Sequence, residues 1–343
     1  MTVHHAGARR PGTDFTSEPI LAGDIGGTNT RLALVHLEND TWAIRDKETY
    51  VSAEFDGLAT IVNRYMERLD PRPTRAGFGV PCPVRDGPCK ATNLDWEIDP
   101  DVLAKRIGLD RTVVVNDFEA IGHAIPTLGP EDFAVLQNRT PAPQGPIAVL
   151  GAGTGLGQAF LFWQNGRYEV IPSEGGHTDF APRTDLETEM FLYWMKKLKR
   201  VSWERFLAGP GLVRIYQFLI SSGKHAESAA VANQMNNEDP AAVITEHALQ
   251  HDDPACKHTL DLFTSIYGAQ AGNLGLTIRA TGGVYIAGGI APRILPAVRE
   301  GPFLDAFRAK GRLSNLTAQM SVRVITERNV GLIGAACAVR SIG

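Results

Sequence analysis

The chain has few of the features that would place it quickly. Its four cysteines, Cys82, Cys89, Cys256 and Cys337, are scattered and form no C-x-x-C pair and no closely spaced Cys/His set. Neither a zinc site nor a disulfide scaffold is therefore indicated, and reduced thiols in a cytosol are the default. No apolar run reaches transmembrane length. Positive charge is not in excess: the net charge is −4 and the pI is near 6.2, which argues against broad nucleic-acid or anionic-membrane binding. The first 18 residues lack an apolar h-region and read as a flexible tail, not a signal peptide, with His4 and His5 solvated. Two phosphate motifs are missing as well. There is no Gly-x-x-x-x-Gly-Lys-Ser/Thr, which excludes a P-loop. The run Gly151-Ala-Gly-Thr-Gly-Leu-Gly157 does not fit Gly-x-Gly-x-x-Gly/Ala, and strand-like residues follow it where a dinucleotide fold needs a helix.

What is present is a repeated design. Residues 21–35 (LAGDIGGTNTRLALV) and residues 148–162 (AVLGAGTGLGQAFLF) superpose when the first is shifted by 127 positions, which lays Gly26 on Gly153. Each reads as an apolar strand, a Gly/Thr turn and a second apolar strand. Glycine admits positive φ and lets an anion reach bare amides. One such hairpin is an ordinary Gly turn; two matched copies, one with an Asp beside its turn, favour a polyphosphate held from two sides by two related domains.

The 343 residues suit two domains, and a hydrophobic share of 43% is enough for substantial cores. Strand patterns at 19–24, 30–37 and 42–51 give an antiparallel meander. Phe55, Leu58, Ile61, Val62, Tyr65, Met66 and Leu69 form one helical face. A strand follows at 74–80, then a helix opened by Asp99-Pro100, a buried strand at 111–115 and a helix at 118–125. The order β-β-β-α-β-α-β-α is that of a ribonuclease H-like domain. The Pro/Gly-rich stretch 127–145 reads as a crossover. Helices are expected at 185–199, 211–222, 241–250 and 256–280, a strand running into Gly288-Gly289, a strand at 321–326 and a last helix at 330–342 that returns to the first domain. The expected fold is thus α/β, with two ribonuclease H-like domains and a cleft between them. Residues 19–127 with 325–343 make the small domain and residues 128–324 the large one.

Asp24 ends a strand beside Gly26-Gly27-Thr28, where a carboxylate would repel phosphate unless a cation intervened. Mg²⁺, which keeps waters and takes one or two carboxylates plus phosphate oxygens, fits, and so does a turn-capping Asp. Asn116-Asp117 follows Val113-Val-Val115 at the carboxyl end of a strand, where open α/β sheets bind ligands; Asp117 could equally cap the next helix. Ser173-Glu-Gly-Gly-His177 makes a poor core and a good polar loop for a ligand rich in hydroxyls. Glu204 reads as an exposed residue in a helix's first turn. Thr92, Asn93 and Trp96 lie on a Pro/Gly-rich excursion suited to a substrate loop or a plain connection.

Taken together, Gly23–Arg31, Thr92–Trp96, Asn116–Phe118, Gly151–Gly157, Ser173–His177, Val201–Gly211 and Gly283–Ile290 resemble, in order, the motifs of bacterial-type glucokinases in the hexokinase/actin-like ATPase superfamily. The resemblance spans roughly residues 20 to 340. It implies ATP-dependent phosphorylation of glucose at the 6-hydroxyl, with Mg²⁺, in a cytoplasmic homodimer. It makes Asp117 the base and gives the sugar to Asn93, Asn116, Glu174, His177 and Glu204. It assigns the nucleotide to Gly23, Asp24, Ile25, Gly26, Gly27, Thr28, Gly153, Thr154, Gly155, Gly157, Gly288 and Gly289. The sister group with a structural zinc carries a C-x-C-G-x-x-G-C loop, which this chain lacks. A kinase for fructose, mannose or glucosamine, or a non-sugar actin-like ATPase, is the alternative.

Overall fold

The computed structural model describes residues 18–38, 41–82, 88–90 and 94–342. The tail expected over 1–18 lies outside them save Glu18, as do Thr92 and Asn93. The chain divides into two compact units, Met1–Ala120 with Gly331–Gly343, and Ile121–Val330.

In the first unit, β1 (Ile20–Ile25), β2 (Asn29–Glu38) and β3 (Thr41–Val51) form the antiparallel meander. After α1 (Leu58–Met66), β4 (Arg75–Val80) pairs parallel to β1. A two-residue pair, β5 (Cys89–Lys90) and β6 (Glu97–Ile98), precedes α2 (Pro100–Ile107); then β7 (Arg111–Asn116) pairs parallel to β4 and leads into α3 (Asp117–Ala124). The sheet order is β3-β2-β1-β4-β7. Local signals hold: the Asp99 carboxylate accepts from the amides of Asp101 and Val102 at 2.9 and 3.0 Å, Pro100 takes the first turn, and Gly108 ends α2 at φ 67°. The buried face of α1 includes Leu58, Ile61, Val62, Tyr65 and Met66 of the periodic set.

In the second unit, β8 (Phe133–Gln137), β9 (Ile147–Ala152), β10 (Leu156–Gln164) and β11 (Arg167–Ser173) come first. A helical stretch follows: α4 (Asp185–Leu198), α5 (Gly209–Ser221), α6 (Ala229–Met235), α7 (Pro240–Gln250) and α8 (Pro254–Ile278). Then come β12 (Gly283–Ala287), the short α9 (Ile290–Arg293), α10 (Leu295–Glu300), α11 (Phe303–Arg308) and α12 (Ser314–Thr317), and β13 (Val322–Ile325). α13 (Val330–Ser341) belongs almost wholly to the first unit. The second sheet runs β11-β10-β9-β12-β13-β8, with β9, β12 and β13 parallel.

The two sheets share a frame. Under the 127-residue shift, Ile20–Ile25 falls on Ile147–Ala152 and the first residue of β2 on the first residue of β10. Both meanders are followed by two strands parallel to the first, as the ribonuclease H-like pattern requires.

Two expectations need correcting. The stretch read as a crossover contains β8, antiparallel to β13, whose five residues are too short for periodicity to declare against the surrounding Pro and Gly. Cys82, buried just after β4, is disulfide-bonded, while Cys256 and Cys337 are buried thiols outside any disulfide. Spacing along the chain does not report proximity in space.

Candidate active site

The first glycine turn joins β1 to β2. Gly26 N–H donates to Asn29 O at 2.9 Å, and Gly26 O accepts from the Ser52 hydroxyl at 2.9 Å. Ser52 also meets Thr30 Oγ1 at 3.0 Å, both residues being fully buried. The amides of Gly27 and Thr28 take part in no hydrogen bond among the described residues. Bare amides on a tight turn are what an anion needs. Gly23 and Ile25 lie in β1 itself, and the Ile25 side chain is core, so only their backbone is available to a ligand.

Asp24 stands opposite Arg31 in the β1–β2 register, with Nη1 of Arg31 3.3 Å from its Oδ2. Burial pushes the Asp24 carboxyl up from the ordinary range, and Arg31 pulls it back only partly. Its negative charge is therefore under-compensated, which suits a divalent cation. Among the described residues no three His, Cys, Asp or Glu side chains cluster as a metal site.

Asp117 opens α3 directly after β7, with its Cα 3.6 Å from where a Cβ on Gly79 would sit. The cap of this helix belongs mainly to its neighbour. Asn116 Oδ1 accepts from Phe118 N at 2.9 Å and Glu119 N at 3.4 Å, while Glu119 Oε2 reaches back to Asn116 N at 3.4 Å. That is a capping box. Asn116 Nδ2 donates to Cys82 O at 3.4 Å, so both ends of this side chain hold structure. Asp117 Oδ1 also accepts from Phe118 N, at 2.9 Å. Asn93 lies outside the described residues.

The second turn, between β9 and β10, closes through Gly153 N–H to Gly155 O at 2.8 Å and leaves the amides of Thr154 and Gly155 without partners among the described residues. Gly157 lies inside β10, opposite Gly151. Because β12 pairs parallel with β9, the Gly288 turn leaves the same sheet edge. Gly288 has φ 79°, and a Cβ there would strike the Ala152 carbonyl oxygen, so both the conformation and the approach demand glycine. Gly153, Thr154 and Gly289 line one end of a cavity of about 1110 Å³. Its walls come from α5, α7 and α9, among them Leu212, Ala241, Thr245, Glu246, Gln250 and Arg293. A volume of this order suits a nucleotide-sized ligand.

The Ser173–His177 loop folds onto the base of the same hairpin. A Cβ on Gly176 would collide with Leu156 O, which explains the second glycine of Glu-Gly-Gly-His. Ser173 Oγ accepts from Gly175 N at 3.1 Å and sets the bend. His177 carries a carboxylate on each side: Glu174 Oε2 lies 3.9 Å from Nε2 and Glu204 Oε1 lies 3.7 Å from Nδ1. These separations are too long for direct hydrogen bonds and leave the edges open to a polar ligand. Glu204 sits in a single helical turn, Trp203–Arg205, with Trp203 buried beneath it. Its Oε2 accepts from Leu156 N at 3.1 Å. The reading of Glu204 as a plain solvated residue fails, because a second acceptor role reaches the glycine hairpin.

Sequence reasoning missed the support under these turns. On α8, the hydroxyl of buried Tyr267 accepts from Ala152 N at 3.0 Å and donates to Ala287 O at 3.4 Å, tying the ends of β9 and β12 together. Nothing in the apolar pattern of α8 distinguishes this tyrosine from core. The cavity residues on α7 and α9 were missed too. The continuation of Gly288-Gly289 into Ile290-Ala-Pro-Arg293 was the available signal for the second of these.

Comparison with known proteins gives one answer. A family model described as Glucokinase matches residues 21–342. The chain is 42% identical over 338 residues to a glucokinase of Nostoc sp., covering 94% of this chain and 99% of that protein. It is 40% identical over 347 residues to a glucokinase of Synechocystis sp., covering 94% and 98%. Among solved structures, a glucokinase from an Antarctic psychrotroph superposes with a TM-score of 0.82 at 32% identity, covering 94% and 99%. Among the described residues, no helix is long and apolar enough to cross a membrane.

Proposed function

Since the chain belongs to the glucokinase family, we propose that it transfers the γ-phosphoryl group of ATP to the 6-hydroxyl of glucose, giving glucose 6-phosphate and ADP. The observation that carries this reading is the Glu174–His177–Glu204 cluster built against a glycine turn with bare amides. A non-sugar ATPase has no use for two carboxylates and an imidazole at that place.

The transition state of phosphoryl transfer spreads charge over the equatorial oxygens, so the protein mainly positions and neutralises. The amides of Gly27, Thr28, Thr154 and Gly155 take phosphate oxygens, and the cavity walled by α5, α7 and α9 takes the nucleoside. Asp24, whose charge Arg31 balances only partly, would hold Mg²⁺ through water; the ion supplies neutralisation of β- and γ-oxygens when bound. Asp117 orients the 6-hydroxyl and accepts its proton late in the transfer, since a carboxylate is too weak a base to ionise a free alcohol first. Asn116 holds the start of α3 so that Asp117 keeps its place. Glu174, His177 and Glu204 read the other hydroxyls, and family likeness adds Asn93 to the sugar contacts. A buried acceptor left unpaired by the wrong epimer costs about 1–3 kcal/mol, enough for selection when several act together. A homodimer working in the cytoplasm completes the proposal, on family likeness.

The test is a coupled assay over glucose, fructose, mannose and glucosamine, with ATP and with polyphosphate as donor. Glucose with ATP is expected to give the highest kcat/KM. A clear preference for another hexose or for polyphosphate would overturn that part of the assignment, and ATP turnover indifferent to every sugar would overturn it all.

A further inference from the structure

The carboxylate of Glu204 does two things with its two oxygens. Oε1 faces His177 Nδ1 at 3.7 Å, on the side of the proposed sugar cluster. Oε2 accepts from the Leu156 amide at 3.1 Å, at the first residue after the Gly153-Thr154-Gly155 turn. Three residues past the Trp203–Arg205 turn, Ala208 caps α5, and Gly209 N–H donates to Gly153 O at 2.9 Å. The segment 204–209 therefore straps the turn at both ends, one end through a side chain and the other through backbone. The strap is itself anchored: Trp203 N donates to Thr178 O at 3.1 Å, and Phe180 N to Val201 O at 3.0 Å, fastening it to the loop that carries Glu174 and His177. The turn, the strap and the sugar loop form one hydrogen-bonded ring.

Resting on the glucokinase reading above, we infer that Glu204 is a positioning residue that couples sugar binding to nucleotide binding through the Leu156 amide. A hydroxyl donated to Oε1 restrains the carboxylate. The restrained carboxylate holds Leu156 N–H, and with it the turn whose free amides face phosphate. The coupling is reciprocal by linkage: nucleotide on the turn steadies Glu204 for sugar to the same degree. Gly155 belongs to the same device. A Cβ there would lie 2.6 Å from Glu204 Oε2, so this turn position must stay bare for the carboxylate to reach its amide.

The experiment uses the full chain with Mg²⁺ and measures, by calorimetry, dissociation constants for glucose and for a non-hydrolysable imido analogue of ATP, each alone and in the presence of the other. In the unaltered protein, glucose tightens the analogue by about fivefold or more. Glu204→Ala weakens the analogue about fivefold even with no sugar present, and the coupling ratio falls to about one. Glu204→Gln, whose carbonyl oxygen still accepts from Leu156, restores most of the sugar-free nucleotide affinity. Gly155→Ala displaces the far end of a flexible side chain and so leaves the fold intact. It weakens glucose about fivefold with no nucleotide present, although it lies in the phosphate turn. If Glu204→Ala fails to fold, Gly155→Ala decides alone. A Glu204→Ala protein that loses glucose but binds the analogue as before would overturn the inference, as would unchanged glucose affinity in Gly155→Ala. Should the unaltered protein bind the analogue but no hexose, the sugar reading and the coupling both fall. The sugar-free effect of Glu204→Ala then still decides whether the carboxylate holds the turn.

Discussion

The two glycine hairpins occupy equivalent places in their sheets, yet they are finished differently. At the position that Asp24 takes in β1, the shifted register puts Gly151 in β9. The first hairpin thus brings its own carboxylate, paired with Arg31 from the adjoining strand. The second brings none and borrows one, Glu204, from 48 residues further on. Their supports differ as well. The first turn rests on a buried hydroxyl pair, Ser52 and Thr30, and the second on the phenol of Tyr267 and the Gly209 amide. A duplicated frame therefore fixes where phosphate can be gripped, and the residues added around each copy decide what else that copy does. On the reading proposed above, the first copy manages charge and the second connects phosphate to sugar.

The contrast extends to the third parallel strand of each sheet, and there the largest effect is expected. β7 runs into Asn116-Asp117, and β13 into Thr326-Glu327. Glu327 Oε1 accepts from Asn329 N at 2.6 Å, which is a local turn role. Asp117→Asn should lower kcat by roughly 10²–10⁴-fold with glucose binding retained, the range for loss of a general base. Glu327→Gln should leave kcat within about twofold, as a surface turn substitution would. Steady-state kinetics with a separate measurement of glucose affinity checks both. Near-normal turnover in Asp117→Asn would remove that residue from the base role.

A middle-sized effect bears on the charge difference itself. Asp24→Asn makes the first hairpin as uncharged as the second. The concentration of Mg²⁺ needed for half-maximal activity should rise about 10–100-fold, the usual cost of altering a group that holds a metal through water. The fold should survive, because Arg31 is largely exposed and can be solvated when its partner loses charge. A titration with Mg²⁺, paired with manganese binding followed by spin resonance on the complex with ADP, distinguishes this from general damage. An unchanged metal requirement would make Asp24 the plain turn residue of the simpler reading.

How much of this could be read beforehand follows the range of the interactions. The hairpins, the α1 face and the Asp99-Pro100 start of α2 are all patterns within about twenty residues, and they stand where expected. The strand β8 was hidden because five residues between breakers carry too little period. Glu204 could be picked out by likeness to a family, but its grip on Leu156 could not, since the partner lies 48 residues away. Tyr267 is more extreme, reaching Ala152 across 115 residues from inside an apolar helix. Local chemistry shows which residues are able to accept a hydrogen bond. Only the packed sheet shows which ones are close enough to do it.

The smallest effect tests the two supports against each other. Tyr267→Phe removes one hydroxyl from a fully buried site and strands the Ala152 amide away from solvent. Leaving a buried donor unpaired costs about 1–3 kcal/mol. Ser52→Ala takes a donor from the Gly26 carbonyl on a half-buried turn and also strands the fully buried Thr30 hydroxyl, so a loss of the same order, about 1–3 kcal/mol, is expected there. Each 1 kcal/mol amounts to roughly 2–4 °C in a unit of about 200 residues, so calorimetry should find both midpoints lowered by a few degrees. The kinetic consequences should separate the two. Tyr267 ties the β9 and β12 ends that present two glycine turns to one cavity, so its loss should raise the KM for ATP while leaving the KM for glucose nearly unchanged. Equal shifts in both constants would mean that Tyr267 holds up the sheet in general and not the nucleotide turns in particular.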